Sequence, residues 1–155
     1  MSDMTAKLVW NGDQTFTGTN SAGIETKIDG THYIAASPVE VLLEALGSCT
    51  AIDVVIILEK MRTPAIRLEV TLDADRHSPE PRYLTGVRMR FDVWGDGIRN
   101  DKLSRAINLS ISRYCSVYHS LRKDLVLVPQ YRIHGANAEA AGEYATVSLE
   151  TEDSA

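Results

Sequence analysis

Residues 37–62 form the longest apolar segment of the sequence, and this segment constrains the fold most strongly. Ser37 and Glu40 have the Ser-x-x-Glu spacing of a capping box, and Pro38 suits the first position of a helix. Thr63-Pro64 then stops the helical pattern. Apolar residues point in nearly every direction around this predicted helix, so we expect it to lie at the centre of the fold.

Alternation of apolar and polar residues predicts strands on both sides of this helix. Three short strands separated by Asn-Gly and Asp-Gly turns precede it, and two long strands with one charged face follow it. Asn100 is placed to cap a second helix, and residues 135–142 read as a loop. The order βββ-α-ββ-α-ββ predicts one α+β domain over residues 1–155, with antiparallel sheets around a central buried helix. The predicted strands cover residues 7–10, 15–18, 24–28, 66–75, 87–94, 125–134 and 144–150.

Charge and composition narrow the classes of partner. The formal net charge of −5 argues against binding to nucleic acid or to an anionic membrane. The most apolar stretch, residues 41–58, is interrupted by Glu44 and Asp53 and therefore predicts a poor membrane span. The N-terminal residues lack the apolar core of a secretory signal, so we expect a cytoplasmic protein whose thiols stay reduced.

The two cysteines carry the chemistry that the sequence suggests. Cys49 lies in the long helix directly after Gly47-Ser48, where small side chains would let another element approach the thiol closely. Cys115 lies late in the second predicted helix. Their spacing is neither a zinc motif nor a Cys-x-x-Cys pair. Buried cysteine also behaves as a small hydrophobe, so a purely structural role for Cys49 stays open beside a redox role.

The segment from Ser37-Pro38 to Val55, with Gly47-Ser48-Cys49-Thr50-Ala51 inside it, resembles the first cysteine helix of the OsmC/Ohr family (osmotically inducible protein C and organic hydroperoxide resistance protein). Tyr114-Cys115-Ser116-Val117 resembles that family's second cysteine helix, and the order of elements is similar over most of the chain. The resemblance implies a thiol peroxidase for organic hydroperoxides that needs no metal, flavin or nucleotide. It also implies an intertwined homodimer with its active sites at the subunit interface.

The same resemblance assigns a role to each thiol. Cys49 would be the peroxidatic thiolate that becomes a sulfenic acid, and Cys115 would resolve it as a disulfide that an external dithiol reduces. Family peroxidases place a glutamate directly after the helix-starting proline, whereas this chain has Val39 there and Glu40 one position later. Glu40 is therefore either an active-site carboxylate or only the capping-box residue.

The cation that usually lowers the pKa of a peroxidatic thiol is the feature that the sequence does not show. No arginine precedes Arg62, although family peroxidases take one from the N-terminal sheet. The remaining candidates are Lys7, Lys27 and an Arg88 or Arg90 delivered by a partner subunit. Cross-strand pairing with acidic residues is the other role open to the two arginines.

A second function class therefore stays open beside the peroxidase. The chain could be a non-catalytic redox-sensing module, or a module that binds a small apolar ligand in the same interfacial pocket. His119, four positions after Cys115, could polarise that thiol or share a metal with it, but we expect an exposed surface histidine. A cysteine and a histidine alone are too few ligands for zinc.

Overall fold

A computed structural model describes residues 2–135 and 142–150, and it confirms the α+β class with two sheets and helices. The chain divides into two compact units after Glu44, so the single domain over residues 1–155 stays a prediction. In chain order the elements are β1 (Ala6–Gly12), β2 (Thr15–Asn20), β3 (Glu25–Asp29), α1 (Pro38–Lys60), β4 (Arg67–Arg76), β5 (Leu84–Trp94), α2 (Asn100–Leu109), a π-helical segment (Ser110–Tyr114), α3 (Ser116–His119), β6 (Val126–His134) and β7 (Ala145–Thr146).

The first unit contains the predicted three-stranded meander. β1, β2 and β3 pair in sequence order, and both pairs are antiparallel. Gly12 and Asp13 have φ angles of 104° and 46°, the left-handed conformation that the tight β1–β2 connection requires. The Trp10 indole N–H donates to the Asp13 carbonyl at 2.9 Å and closes this turn.

Asp29, the last residue of β3, organises the loop that leads toward α1. Its carboxylate accepts hydrogen bonds from the Thr31 hydroxyl at 2.7 Å and from the backbone N–H groups of Thr31, Tyr33 and Ile34 at 2.8–3.1 Å. The Thr31 hydroxyl contributes most, and together these donors lower the pKa of Asp29 to about 2, against the opposing effect of burial.

The second unit contains a four-stranded sheet in the order β4-β5-β6-β7. β4 and β5 pair antiparallel as predicted, but β5 and β6 are parallel, so the expectation of purely antiparallel sheets is wrong for this pair. The physical reason is the connection, because the chain crosses over through α2 before β6 and returns in the same direction. β7 is shorter than the predicted strand 144–150. The predicted loop 135–142 lies largely outside the described residues.

The core of the second unit is built on β5, whose Met89, Phe91 and Val93 are fully buried. α1 buries a single stripe at every fourth position, while Ile52 and Ile56 on it remain 59% and 42% exposed within one chain. The buried stripe consists of Leu46, Thr50, Val54 and Leu58.

α1 ends at Lys60, two residues before the predicted boundary. Arg62 takes a left-handed φ of 60°, and the Thr63 N–H bonds back to the Leu58 carbonyl at 3.0 Å, which is a Schellman-type end.

Among the described helices, α1 is long and apolar enough to cross a membrane by length and composition. From the sequence we predict a poor membrane span, because Glu44 and Asp53 interrupt this segment. A single helix of this kind is a weak indication, because the core helix of a soluble protein passes the same test. The Asp53 carboxylate also has a partner within the protein, since it accepts a hydrogen bond from the Ser110 hydroxyl at 2.7 Å.

A buried carboxylate on β5 ties the C-terminal end of the sheet together. Asp92 accepts hydrogen bonds from Arg132, from His134 Nε2 at 2.8 Å and from the Tyr144 hydroxyl at 2.6 Å. Burial raises the pKa of Asp92, but these donors, Arg132 first, outweigh burial and hold that pKa below its usual value. The Arg132 guanidinium carbon also lies 4.3 Å from the centroid of the Tyr144 ring. Tyr144, which directly precedes β7, therefore contacts both β5 and β6.

Replacing Tyr144 with phenylalanine should lower the free energy of unfolding by about 1.5–3 kcal/mol, the usual contribution of a hydrogen bond to a charged group. Urea unfolding at pH 7 measures this difference. Tyr33→Phe is the matched control, because the Tyr33 side chain is 89% exposed and should unfold like the wild type. Equal midpoints for Tyr144→Phe and Tyr33→Phe would show that the Asp92 contact stabilises nothing.

The contribution of Asp29 to stability should depend on pH. Its folded pKa of about 2 is lower than the unfolded value of 3.8, so the contribution is fully present above about pH 4 and is lost as the pH falls through about 2. The difference in melting temperature between wild type and Asp29→Ala should therefore be largest near pH 6 and should shrink as the pH is lowered toward 2.5. A constant difference over that range would contradict the assignment.

Candidate functional site

Cys49 lies near the middle of α1 and is partly accessible to solvent. Two positions earlier, Gly47 is buried against β4, and a Cβ atom built on it would stand 2.6 Å from Leu72 Cδ1. Gly47 therefore admits β4 close to α1, while the expected close approach of another element to the Cys49 thiol itself stays a prediction.

Cys115 lies at a break in the second helical segment rather than within a continuous helix, so this part of the prediction is wrong. α2 continues as a π-helix from Ser110, and the Cys115 N–H donates to the Ser110 carbonyl five residues back at 2.7 Å. Cys115 itself has φ −67° and ψ 96° and becomes the N-cap of α3, where its Sγ accepts the Tyr118 N–H at 3.4 Å. At the other end, Arg99 rather than Asn100 occupies the N-cap position of α2.

Cys115 lies against the turn of α1 that carries Cys49. It is fully buried, and its Sγ lies 3.4 Å from Oγ1 of Thr50, the residue that follows Cys49 in the chain. Burial is the largest influence and raises the pKa of the Cys115 thiol, and the neighbouring Cys49 raises it further. Hydrogen bonds from Thr50 and from the Tyr118 N–H oppose this rise. Cys115 is therefore a protonated thiol at neutral pH.

A small polar network, which sequence reasoning did not single out, links the π-helical segment to α1. Thr50 Oγ1 lies 3.4 Å from Cys115 Sγ and 3.0 Å from the Leu46 carbonyl oxygen. The Ser110 hydroxyl lies 2.7 Å from Asp53 Oδ2 and 3.4 Å from the Thr50 carbonyl oxygen. One signal was present in the sequence, because Thr50 is the polar member of an otherwise apolar stripe with a four-residue repeat.

Glu40 lies in the first turn of α1 and makes the carboxylate half of the predicted capping box. Its carboxylate accepts the Ser37 N–H at 2.7 Å and lies 3.5 Å from His32 Nδ1. The bonds to Ser37 are the main reason that the pKa of Glu40 is lowered, and His32 contributes in the same direction. An active-site role for Glu40 stays a prediction.

Three of the four basic residues considered as activators, namely Lys27, Arg88 and Arg90, have other partners. Arg90 is hydrogen-bonded to Asp73 and Arg88 lies 4.0 Å from the same carboxylate, which confirms the predicted cross-strand pairing. Lys27 Nζ donates to Thr17 Oγ1 at 2.9 Å. Within residues 2–135 and 142–150, no lysine or arginine side chain is hydrogen-bonded to either thiol.

His119 is exposed as predicted, and Cys115 does not share a regular helix with it. In the part of the chain that the structure describes, no group of three or more histidine, cysteine, aspartate or glutamate residues is arranged to hold a metal ion.

Comparison with known proteins places this geometry in a family. The family model described as OsmC-like protein matches residues 29–128, which include both cysteines. The protein YhfA of Escherichia coli K12 is 36% identical over 134 residues, covering 86% of this chain and all of YhfA. Two solved structures share the fold, namely an OsmC-like protein from Mycoplasma pneumoniae and the organic hydroperoxide resistance protein OhrB of Bacillus subtilis.

The Mycoplasma structure has a TM-score of 0.74 at 13% identity and covers 85% of this chain and 97% of its own. The Bacillus structure has a TM-score of 0.59 at 12% identity and covers 83% of this chain and 98% of its own. At these identities the two structures speak for the fold alone. Together with the family model and the similarity to YhfA, they lead to one conclusion: the chain belongs to the OsmC-like protein family.

Proposed function

We propose that this protein is a cytoplasmic thiol peroxidase that reduces small organic hydroperoxides with Cys49 and Cys115. The observation that carries the proposal is the contact between a partly accessible thiol on α1 and a buried thiol at the helix break. The two residues are distant in sequence, and the second one lies at the break in helical geometry. Two solved structures of the same fold are named organic hydroperoxide resistance proteins, which supports the same substrate class here.

The proposed chemistry divides into two steps. In the first, the Cys49 thiolate attacks the terminal oxygen of the hydroperoxide, the O–O bond breaks, and the alkoxide leaves as an alcohol after taking a proton. The product is a sulfenic acid on Cys49. In the second, Cys115 sulfur attacks Cys49 sulfur, the S–O bond breaks, and the hydroxide leaves with the thiol proton as water. An external dithiol then reduces the disulfide.

Accessibility decides which thiol takes which role. Cys49 is partly exposed and can meet a peroxide, whereas Cys115 is fully buried and has a raised pKa. A protonated, buried thiol reacts poorly with peroxide, because the thiolate is the nucleophile. Cys115 would therefore react with the sulfenic acid on Cys49 rather than with the peroxide. We include Glu40 in the proposal as a positioning residue, because its carboxylate holds the first turn of the helix that carries Cys49.

A second candidate function is a redox-sensing or small-ligand-binding module with the same two thiols. The observation that favours it is the absence, among the described residues, of a lysine or arginine hydrogen-bonded to either sulfur. Such a protein would form the disulfide slowly and would not turn over with a dithiol.

Reduced protein should consume one equivalent of cumene hydroperoxide without reductant and many equivalents with dihydrolipoamide as the dithiol. Cys49→Ser should abolish both reactions, because it removes the nucleophile. Cys115→Ser should retain the first equivalent, lose dithiol-dependent turnover and accumulate sulfinic acid on Cys49. Peroxide loss is followed by a ferrous-oxidation assay, and the oxidation state of each thiol by peptide mapping without reductant.

The outcome separates the two candidates. Stoichiometric disulfide formation over hours without dithiol-driven turnover would replace the peroxidase with the sensing module. Full turnover by Cys115→Ser would contradict the resolving role.

We also propose that the protein is a homodimer. In the second unit, an apolar groove of about 510 Å³ runs along α1, and its Ile52 and Ile66 are 59% and 68% exposed in one chain. A large exposed apolar surface of this kind usually marks an interaction site. The groove is lined by Ser48, Ala51, Ile52, Val55, Ile56, Ala65, Ile66, Arg67 and Leu68.

Sedimentation at micromolar concentration should therefore show one species at twice the chain mass of 17.1 kDa. Ile52→Lys should shift it toward monomer or unfold it, because a charge would be buried without a partner. Val126→Lys is the matched control, since Val126 is 61% exposed and does not line this groove, and it should stay dimeric. A folded wild-type monomer would refute the proposal.

A further inference from the structure

Thr50 places a hydroxyl group directly against the sulfur of Cys115. Its Oγ1 lies 3.4 Å from Cys115 Sγ, both residues are fully buried, and the threonine follows Cys49 immediately in the chain. A buried hydroxyl costs stability unless it is hydrogen-bonded, and Thr50 otherwise belongs to an apolar stripe that valine would fill equally well. Apolar packing alone therefore does not call for a hydroxyl at this position.

The hydroxyl has one proton and two neighbours that can accept it. Oγ1 is also 3.0 Å from the carbonyl oxygen of Leu46, one helical turn back. While Cys115 is a thiol, the threonine proton can go to Leu46, and the S–H can point at Oγ1 as acceptor. When Cys115 develops negative charge, rotation about the C–O bond turns the same hydroxyl toward the sulfur as a donor.

We propose that Thr50 is a catalytic residue of the resolving step, with a hydroxyl that accepts from the Cys115 thiol at rest and donates to its sulfur as that sulfur attacks Cys49. The inference rests on the proposed function and adds a third residue to its second step. During that step the S–S bond forms, the S–O bond of the sulfenic acid breaks, and the thiol proton leaves with the hydroxide as water. Thr50 returns to its resting orientation and is not consumed.

Two further contacts hold the sulfur and the hydroxyl in register. The Tyr118 N–H also donates to Cys115 Sγ at 3.4 Å, so the developing charge would receive two donors. The Ser110 hydroxyl spans from Asp53 to the Thr50 carbonyl and fixes the π-helical segment against this turn of α1. The β-branched side chain of threonine has few χ1 rotamers in a helix, which limits where its hydroxyl can point.

The test compares Thr50→Val, which removes the hydroxyl at nearly constant volume, with Thr50→Ser, which keeps it. Reduced protein is mixed with one equivalent of cumene hydroperoxide, and acid-quenched samples are analysed for peroxide loss and for the Cys49–Cys115 disulfide. Relative to its own rate of peroxide loss, Thr50→Val should form the disulfide about ten- to hundredfold more slowly than the wild type does, the effect of one hydrogen bond to a charged group. Thr50→Ser should stay near the wild type in both rates.

A second readout does not involve peroxide. In a Cys49→Ser background, absorbance at 240 nm reports the ionisation of Cys115 once the tyrosinate contribution, measured on the Cys49→Ser/Cys115→Ser protein, is subtracted. Cys49, the titratable group that acts on this sulfur in the wild type, is then absent. Adding Thr50→Val should raise the pH at which Cys115 is half ionised, the half-point, by about one unit or more. Adding Thr50→Ser instead should leave that half-point near the value of the Cys49→Ser protein.

Each result decides the proposal. Disulfide formation by Thr50→Val at the wild-type rate, or an unchanged half-point, would overturn the role of Thr50. Should Thr50→Val not fold, Thr50→Ala and Thr50→Ser are compared in the same assays, and equal behaviour of alanine and serine would overturn it as well. A wild type that does not consume hydroperoxide would refute the proposed function instead, while the 240 nm titration would still show whether Thr50 acts on Cys115.

Discussion

The contact between the π-helical segment and α1 is the interaction on which the candidate site depends. Two hydroxyls cross it, Ser110 toward Asp53 and Thr50 toward Cys115. Both lie in surroundings from which water is excluded, where a satisfied hydrogen bond fixes geometry and an unsatisfied one is costly. The same contact places Cys115 near the turn of α1 that carries Cys49. The pKa of the Cys115 thiol therefore depends on groups of α1, namely Thr50 and Cys49.

The helix and most strands could be predicted because their signals are local. The capping box at Ser37 and Glu40, the turn residues at Gly12 and Asp13, and the alternation along β4 each operate within a few positions. The parallel pairing of β5 and β6 could not be read in that way. It depends on how the intervening α2 packs, which is a property of the whole unit rather than of either strand.

The candidate site shows the same division. Both cysteines could be identified because their local sequences resemble a known family. The environment of Cys115 could not, because helical spacing continues through residues 103–118 and gives no sign of an inserted residue in the hydrogen-bond pattern. Thr50 went unnoticed for a related reason, since a single buried hydroxyl acquires meaning only when its partner, 65 positions away, is known.

The π-helical segment sets the direction in which the Cys115 sulfur points. In this segment the Cys115 N–H reaches the carbonyl five residues back, so one residue more is accommodated than an α-helical turn would hold. A regular α-helix over the same residues would instead bond the Cys115 N–H to the Ile111 carbonyl and would carry the sulfur about 100° further around the axis. The thiol would then face away from Thr50 with every side chain of the network still present. A relative with the same two cysteines but an unbroken helix here would therefore lack the contact between this hydroxyl and the second thiol.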